Sequence, residues 1–112
     1  MVRSLVALVI AAGAALSGCE PREQEIRVAA QDFRFVPSLI RIRANTPVRL
    51  TIVNEGREPH EFASRLLQDS ESLRVLPGHS ATVVLQATPG TYPFRCRVRG
   101  HAGMDGTMIA EK

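Results

Sequence analysis

The sequence predicts an all-β domain, a sandwich or barrel of seven or eight short strands, on three observations. From Ile26 onward apolar residues alternate with polar ones at period two. Turn residues recur about every 8 to 12 positions, the spacing of short antiparallel strands. No segment sustains a helical stripe for three turns. At 112 residues, 45% hydrophobic and 22% charged, the chain holds one domain and leaves no room for a second, catalytic one.

Residues 1–18 do not belong to that pattern. Arg3 supplies a positive charge, residues 5–16 contain nothing polar, and small residues follow, which is the layout of an export signal. The apolar run is too short for a bilayer, which needs about 20 residues. Its ending, Leu16-Ser17-Gly18-Cys19, resembles the lipobox of bacterial lipoproteins. On that reading the chain is cut before Cys19, the Cys19 thiol is acylated, and the protein is held at the periplasmic face of a bacterial membrane. The plainer alternative is a secretory signal cut after Ala14 or Ala15. Both export the protein. With Cys19 acylated, Cys96 is the one thiol left in an oxidising compartment, and a disulfide framework is excluded.

Residues 19–25 read as a polar tether and residues 26–112 as the folded domain. Ile26 and Val28 alternate with Arg27; Ile40 and Ile42 with Arg41 and Arg43; Val48, Leu50 and Ile52 with Arg49 and Thr51. Further runs follow at residues 80–85, 91–99 and 107–111, with a helical turn expected around residues 64–70. Val36-Pro37-Ser38, Asn54-Glu55-Gly56, Leu76-Pro77-Gly78 and Thr88-Pro89-Gly90 punctuate them.

The chemistry lies in two distant places. One is Pro59-His60-Glu61-Phe62; the other runs from Cys96 through His101 to Met104 at the end of a strand. Two His, one Cys and one Met are the donor set of a mononuclear blue-copper site, a trigonal His₂Cys plane with a weak axial Met. Thiolate and thioether favour Cu(I), imidazole accepts both states, and a site that suits neither fully changes little when an electron moves. Coordination also explains an unpaired exported Cys96, which a metal holds as thiolate. Gly100 and Gly103 let the loop fold back so that its side chains converge. Taken singly, His60 reads as a surface or capped residue, Cys96 as an apolar filler and Met104 as core. Met108 alternates with Ala110 as a core residue, and His79 sits exposed in a turn with no role.

Three motifs in order carry a family resemblance: Val53-Asn54-Glu55-Gly56-Arg57-Glu58-Pro59-His60, Gly90-Thr91-Tyr92-Pro93-Phe94-Arg95-Cys96 and Gly100-His101-Ala102-Gly103-Met104-Asp105-Gly106. Over residues 26–111 the sequence resembles the cupredoxins, of the small single-domain type related to plastocyanin, amicyanin and azurin. The resemblance implies a cupredoxin-like Greek-key β-sandwich holding one copper per chain. By position it makes His60 the upstream imidazole ligand, Cys96 the thiolate, His101 the downstream and partly exposed imidazole, and Met104 the axial thioether. Two departures stand out. The ligand loop pairs a Cys-x4-His spacing like that of azurin with a His-x2-Met spacing like that of amicyanin. Glu61 stands where an Asn commonly braces the ligand loops, and its carboxylate is expected either to replace that hydrogen bond or to stand near the metal and stabilise Cu(II).

Arg95, Arg97 and Arg99 share one strand face, which is either an ordinary solvated face or a surface that steers an acidic redox partner. Phe33, Phe35, Phe62, Tyr92 and Phe94 are expected in the core, so no aromatic platform for nucleic acid exists. There is no phosphate loop, no Ser-His-Asp pattern and no second metal cluster, which removes the common enzyme classes. The expected function is electron transfer by a monomeric, lipid-anchored carrier to a redox partner such as a cytochrome or copper oxidoreductase. The competing reading is an accessory protein for copper handling or metal uptake, which binds and releases the ion without cycling it.

Overall fold

The computed structural model describes residues 23–67 and 72–112. The signal reading, Cys19 and the first part of the tether lie outside the described residues. Nine strands form: β1 (Gln24–Gln31), β2 (Arg34–Val36), β3 (Leu39–Arg43), β4 (Val48–Asn54), β5 (His60–Ser64), β6 (Ser72–Val75), β7 (Ser80–Leu85), β8 (Gly90–Cys96) and β9 (Asp105–Glu111). They build a sheet of order β2-β1-β4-β7 and a second of order β3-β9-β8-β5-β6. The pairings β1 with β4 and β3 with β9 are parallel, and the rest are antiparallel.

The alternation read from the sequence sets which residues face inward. In β4, Val48, Leu50 and Ile52 are fully buried while Arg49 turns out to bond Glu23. In β8, Tyr92, Phe94 and Cys96 point inward and Thr91, Pro93 and Arg95 outward. Phe35, Phe62 and Phe94 meet at the middle of the core: Phe35 is edge-on to both others, and Phe62 stacks on Phe94 with centroids 4.9 Å apart. Burying each such ring stabilises the fold by about 1.5–3 kcal/mol relative to leaving it exposed. Met108, 1% exposed and opposite Tyr92 and Ile40, is core as expected.

The structure differs from the sequence reading at several elements. β1 begins at Gln24, so the last two residues of the expected tether belong to the sheet, where they pair with Val48 and Arg49. The segment expected to hold a helical turn, residues 64–70, falls between β5 and β6: among the described residues a turn follows Ser64, whose hydroxyl and carbonyl accept the Leu66 and Leu67 N–H groups, and residues 68–70 lie outside the described residues. Strand β8 stops at Cys96 rather than running to Arg99. Phe33 is 50% exposed and not core. Among the described residues no helix is long and apolar enough to cross a membrane.

Register brings the two chemical segments together. Phe62 of β5 pairs with Cys96 of β8, so His60, two residues before Phe62, lies just past the end of β8. Arg95 pairs with Asp105, so β9 starts at that same end, directly after Met104. Parallel pairing of β1 with β4 carries the β1–β2 turn, which holds Asp32 and Phe33, to this end as well.

Candidate metal centre

His60, Cys96 and His101 are buried, and their ligand atoms all lie within 4.8 Å of one another. The Cys96 Sγ is 3.5 Å from His101 Nδ1 and 3.9 Å from His60 Nδ1. A first-row metal bonded to nitrogen at about 2.0 Å and to sulfur at about 2.3 Å, at a trigonal angle, sets those atoms about 3.7 Å apart. The donor spacing therefore fits a single ion. Met104 is 1% exposed and tied by its backbone to both neighbours: its N–H donates to His101 O and its carbonyl accepts from Cys96 N. The four residues sit as a single copper site requires.

The downstream loop is shaped locally. His101 N–H donates to Val98 O and Met104 N–H to His101 O, two tight turns in succession. Gly100 (φ 90°) and Gly103 (φ 89°) take the left-handed backbone that these turns need and that side chains with a Cβ resist. The Glu61 N–H donates to Cys96 Sγ at 3.4 Å, a bond that ties the sulfur to the start of β5.

The upstream loop crosses from β4 to β5 and is held by contacts distant in sequence. Buried Asn54 donates through Nδ2 to the Glu58 and Val75 carbonyls and accepts the Gly56 N–H at Oδ1. Asp32 Oδ2 accepts the Arg57 N–H at 2.7 Å. A Cβ on Gly56 would fall on the Asp32 carboxylate, so glycine here leaves that carboxylate its place beside His60. The Arg57 N–H is the largest influence on Asp32 and holds its carboxyl below the ordinary value; burial opposes, and His60 and the Glu58 N–H add to the lowering.

Both imidazoles have their outer nitrogens occupied. His60 Nε2 lies 2.8 Å from Asp32 Oδ1, and His101 Nε2 lies 3.1 Å from Glu58 Oε1. Phe33 stands edge-on to His101, centroids 4.8 Å apart, and to His60 at 6.3 Å.

Two expectations need correction. His101 is 4% exposed rather than partly open, because Phe33 and Glu58 cover it. The Glu61 carboxylate neither braces the loops nor approaches the metal; strand alternation turns it to the outer face, where Oε1 accepts from Ser72 Oγ. Only its backbone N–H serves the site. The carboxylates that do reach the centre, Asp32 and Glu58, were missed by sequence reasoning. Glu58 stands two residues before His60, a closeness many acidic residues share with a His, and Asp32, 28 residues from His60, gave no signal.

A groove of about 620 Å³ lined by Arg65, Arg95, Arg97 and Asp105 among others lies on the outer face of the five-stranded sheet and includes none of the four site residues. Arg95, Arg97 and Arg99 are exposed. His79 is exposed as well and serves the fold through its backbone: its carbonyl accepts the Asn54 N–H and its N–H donates to the Leu76 carbonyl.

The family model described as "Cupredoxin-like domain" matches residues 2–110. No curated protein matches the chain. Among solved structures, auracyanin B is similar at TM-score 0.69 and 24% identity, over 83% of this chain and 92% of that one. Auracyanin A, titled a "blue" copper protein from the green thermophilic photosynthetic bacterium Chloroflexus aurantiacus, matches at TM-score 0.66 and 14% identity, over 80% and 100%. A Blue Copper Oxidase from Nitrosomonas europaea matches at TM-score 0.68 and 22% identity, over 80% of this chain but 39% of that one. At these identities the likenesses establish the fold.

Proposed function

Because the chain belongs to the cupredoxin-like domain family, we propose that it carries single electrons on one copper ion bound by His60, Cys96, His101 and Met104. The observation that carries this reading is the buried Cys96 thiol with two imidazole Nδ1 atoms at 3.5 and 3.9 Å. Copper, when bound, supplies a one-electron Cu(I)/Cu(II) couple. The chain's own residues supply the rest. Burial of all four side chains excludes water, the Glu61 N–H holds the thiolate, and the two glycine turns fix His101 and Met104 before any ion arrives. Such preorganisation leaves little to rearrange when the charge on the centre changes.

A partner docking at this end meets the half-exposed Phe33 ring before it meets His101. The structural likeness to auracyanins, one of them titled a blue copper protein, supports a carrier rather than an enzyme. In this reading residues 1–18 are a lipoprotein signal, acylated Cys19 anchors a monomer at the periplasmic face of the membrane, and residues 26–112 are the cupredoxin domain. The partner is an exported cytochrome or copper oxidoreductase.

Adding Cu(II) to the purified protein is expected to give an intense blue absorption that bleaches with reductant and returns on reoxidation with the copper retained. Cys96→Ser abolishes the colour. Copper at a hundredfold excess over its Kd raises the unfolding free energy by about 2.7 kcal/mol. A colourless complex, or copper lost on reduction, overturns the electron-carrier reading in favour of copper handling. Cys19→Ser is expected to move the protein from the membrane fraction to the soluble one; an unchanged distribution refutes the anchor.

A further inference from the structure

Ligand imidazoles in a metal site must present one nitrogen without a proton, and the partner of the other nitrogen decides which one that is. Here the two rings solve the problem the same way with residues from different places. Asp32 comes from the β1–β2 turn of the four-stranded sheet, and Glu58 from the loop that leads into β5. Each carboxylate can only accept, so each Nε2 carries the proton and donates it, and each Nδ1 is left with its lone pair directed at Cys96. We propose that Asp32 and Glu58 are positioning residues of the metal centre, which fix both imidazole tautomers before copper binds and, by their negative charge, favour its Cu(II) state over Cu(I). The proposal rests on the copper reading given above.

The geometry grades the two contributions. The Asp32 side chain is 23% exposed and is itself clamped by the Arg57 N–H and by the close approach of Gly56. Glu58 is 53% exposed, with His101 Nε2 as its side-chain contact, at the longer distance of 3.1 Å. Water screens the second charge more than the first. Asp32 therefore has the stronger hold on the couple, and Glu58 the weaker. Two anionic partners on two imidazoles also place negative charge beside both donors together, which a harder, more highly charged ion rewards more than Cu(I) does.

The test separates orientation from charge. Reduction of the loaded protein adds one electron from a mediator of known potential to Cu(II) and gives Cu(I), so the midpoint reads the ratio of the two affinities. Asp32→Asn is expected to lower the Cu(II)-over-Cu(I) preference by about tenfold, the lower end of what partners of metal ligands contribute, which raises the midpoint of a one-electron couple by about 59 mV. Glu58→Gln gives a smaller rise in the same direction. Nitrogen NMR of the metal-free protein supplies a readout that needs no copper: both imidazoles are expected as the Nε2–H tautomer in the wild type. Glu58→Gln keeps an acceptor and keeps that tautomer at His101, whereas Glu58→Ala loses it.

Glu58 is largely exposed, so its variants fold even if Asp32→Asn does not. Unchanged midpoints in Glu58→Gln and in any folded Asp32→Asn, or an Nδ1–H tautomer in the wild type, overturn the proposal. A wild-type protein that forms no blue centre overturns the copper reading instead, and the two failures are thus distinguishable.

Discussion

The two loops that deliver the donors are held in opposite ways. The downstream loop, residues 96–104, is folded by its own backbone: two successive turns, two glycines at positive φ, and hydrogen bonds that close within the segment. The upstream loop, residues 54–60, has few such internal ties and depends on Val75, Asp32 and His79 from other elements. One donor therefore rests on the assembled tertiary structure, and the remaining three on a local motif docked against it. Damage to the first arm should spread through the fold, and damage to the second should stay at the site.

Asn54→Ala breaks the upstream arm most severely. It removes the side-chain partner of the buried Val75 carbonyl and of the part-buried Glu58 carbonyl and Gly56 N–H, and since such groups cost about 1–3 kcal/mol each when unsatisfied, a destabilisation of about 3 kcal/mol is expected. For a domain of this size that lowers Tm by about 15 °C, measurable by calorimetry. A loss confined to copper affinity, with Tm intact, would show that the arm is self-supporting after all.

Gly56→Ala comes next. Its Cβ collides with the Asp32 carboxylate, and relieving such overpacking costs about 2 kcal/mol. Because the Asp32 carboxylate must shift from its place against His60, urea unfolding and the copper midpoint should shift together. A midpoint that stays put would separate Asp32 from the centre.

Gly103→Ala strains the downstream arm alone. Forcing a Cβ into φ 89° costs about 1 kcal/mol, and copper retention should weaken while the His60 tautomer, read by NMR, is unchanged. A disturbed His60 would dissolve the distinction between the arms.

The smallest effect concerns acid. The Asp32 carboxyl is held below its ordinary value of 3.8, chiefly by the Arg57 N–H. A depressed carboxyl stabilises the fold above 3.8, and that contribution fades as pH falls through the lower folded value. The stability gap between the metal-free wild type and Asp32→Asn should thus be widest near neutrality and close below about pH 3.8. A gap that widens in acid would mean that Asp32 is not held as a carboxylate.

These differences also explain what reading the chain achieved. Strands β3, β4, β7 and β9 announce themselves because one face of each is buried and period two follows. Strand β2 is three residues long, and β5 carries buried Ala63 beside buried Phe62, so neither shows a clean alternation. Phe33 looked like core because an aromatic side chain gives no sign of its address; the turn it occupies places it over the histidines instead.

The sequence by itself determined the all-β architecture, the inward side of its main strands and the order of the four candidate donor residues. Alternation, turn chemistry and donor type are local properties, legible in the order of residues. The tertiary structure alone decided that His101 is enclosed, that the Glu61 carboxylate faces away while its N–H reaches the thiol, and that Asp32 and Glu58 engage the two imidazoles. The physical reason is that a carboxylate 28 or 43 residues from its histidine meets it only through sheet register and loop closure. No spacing along the chain records those.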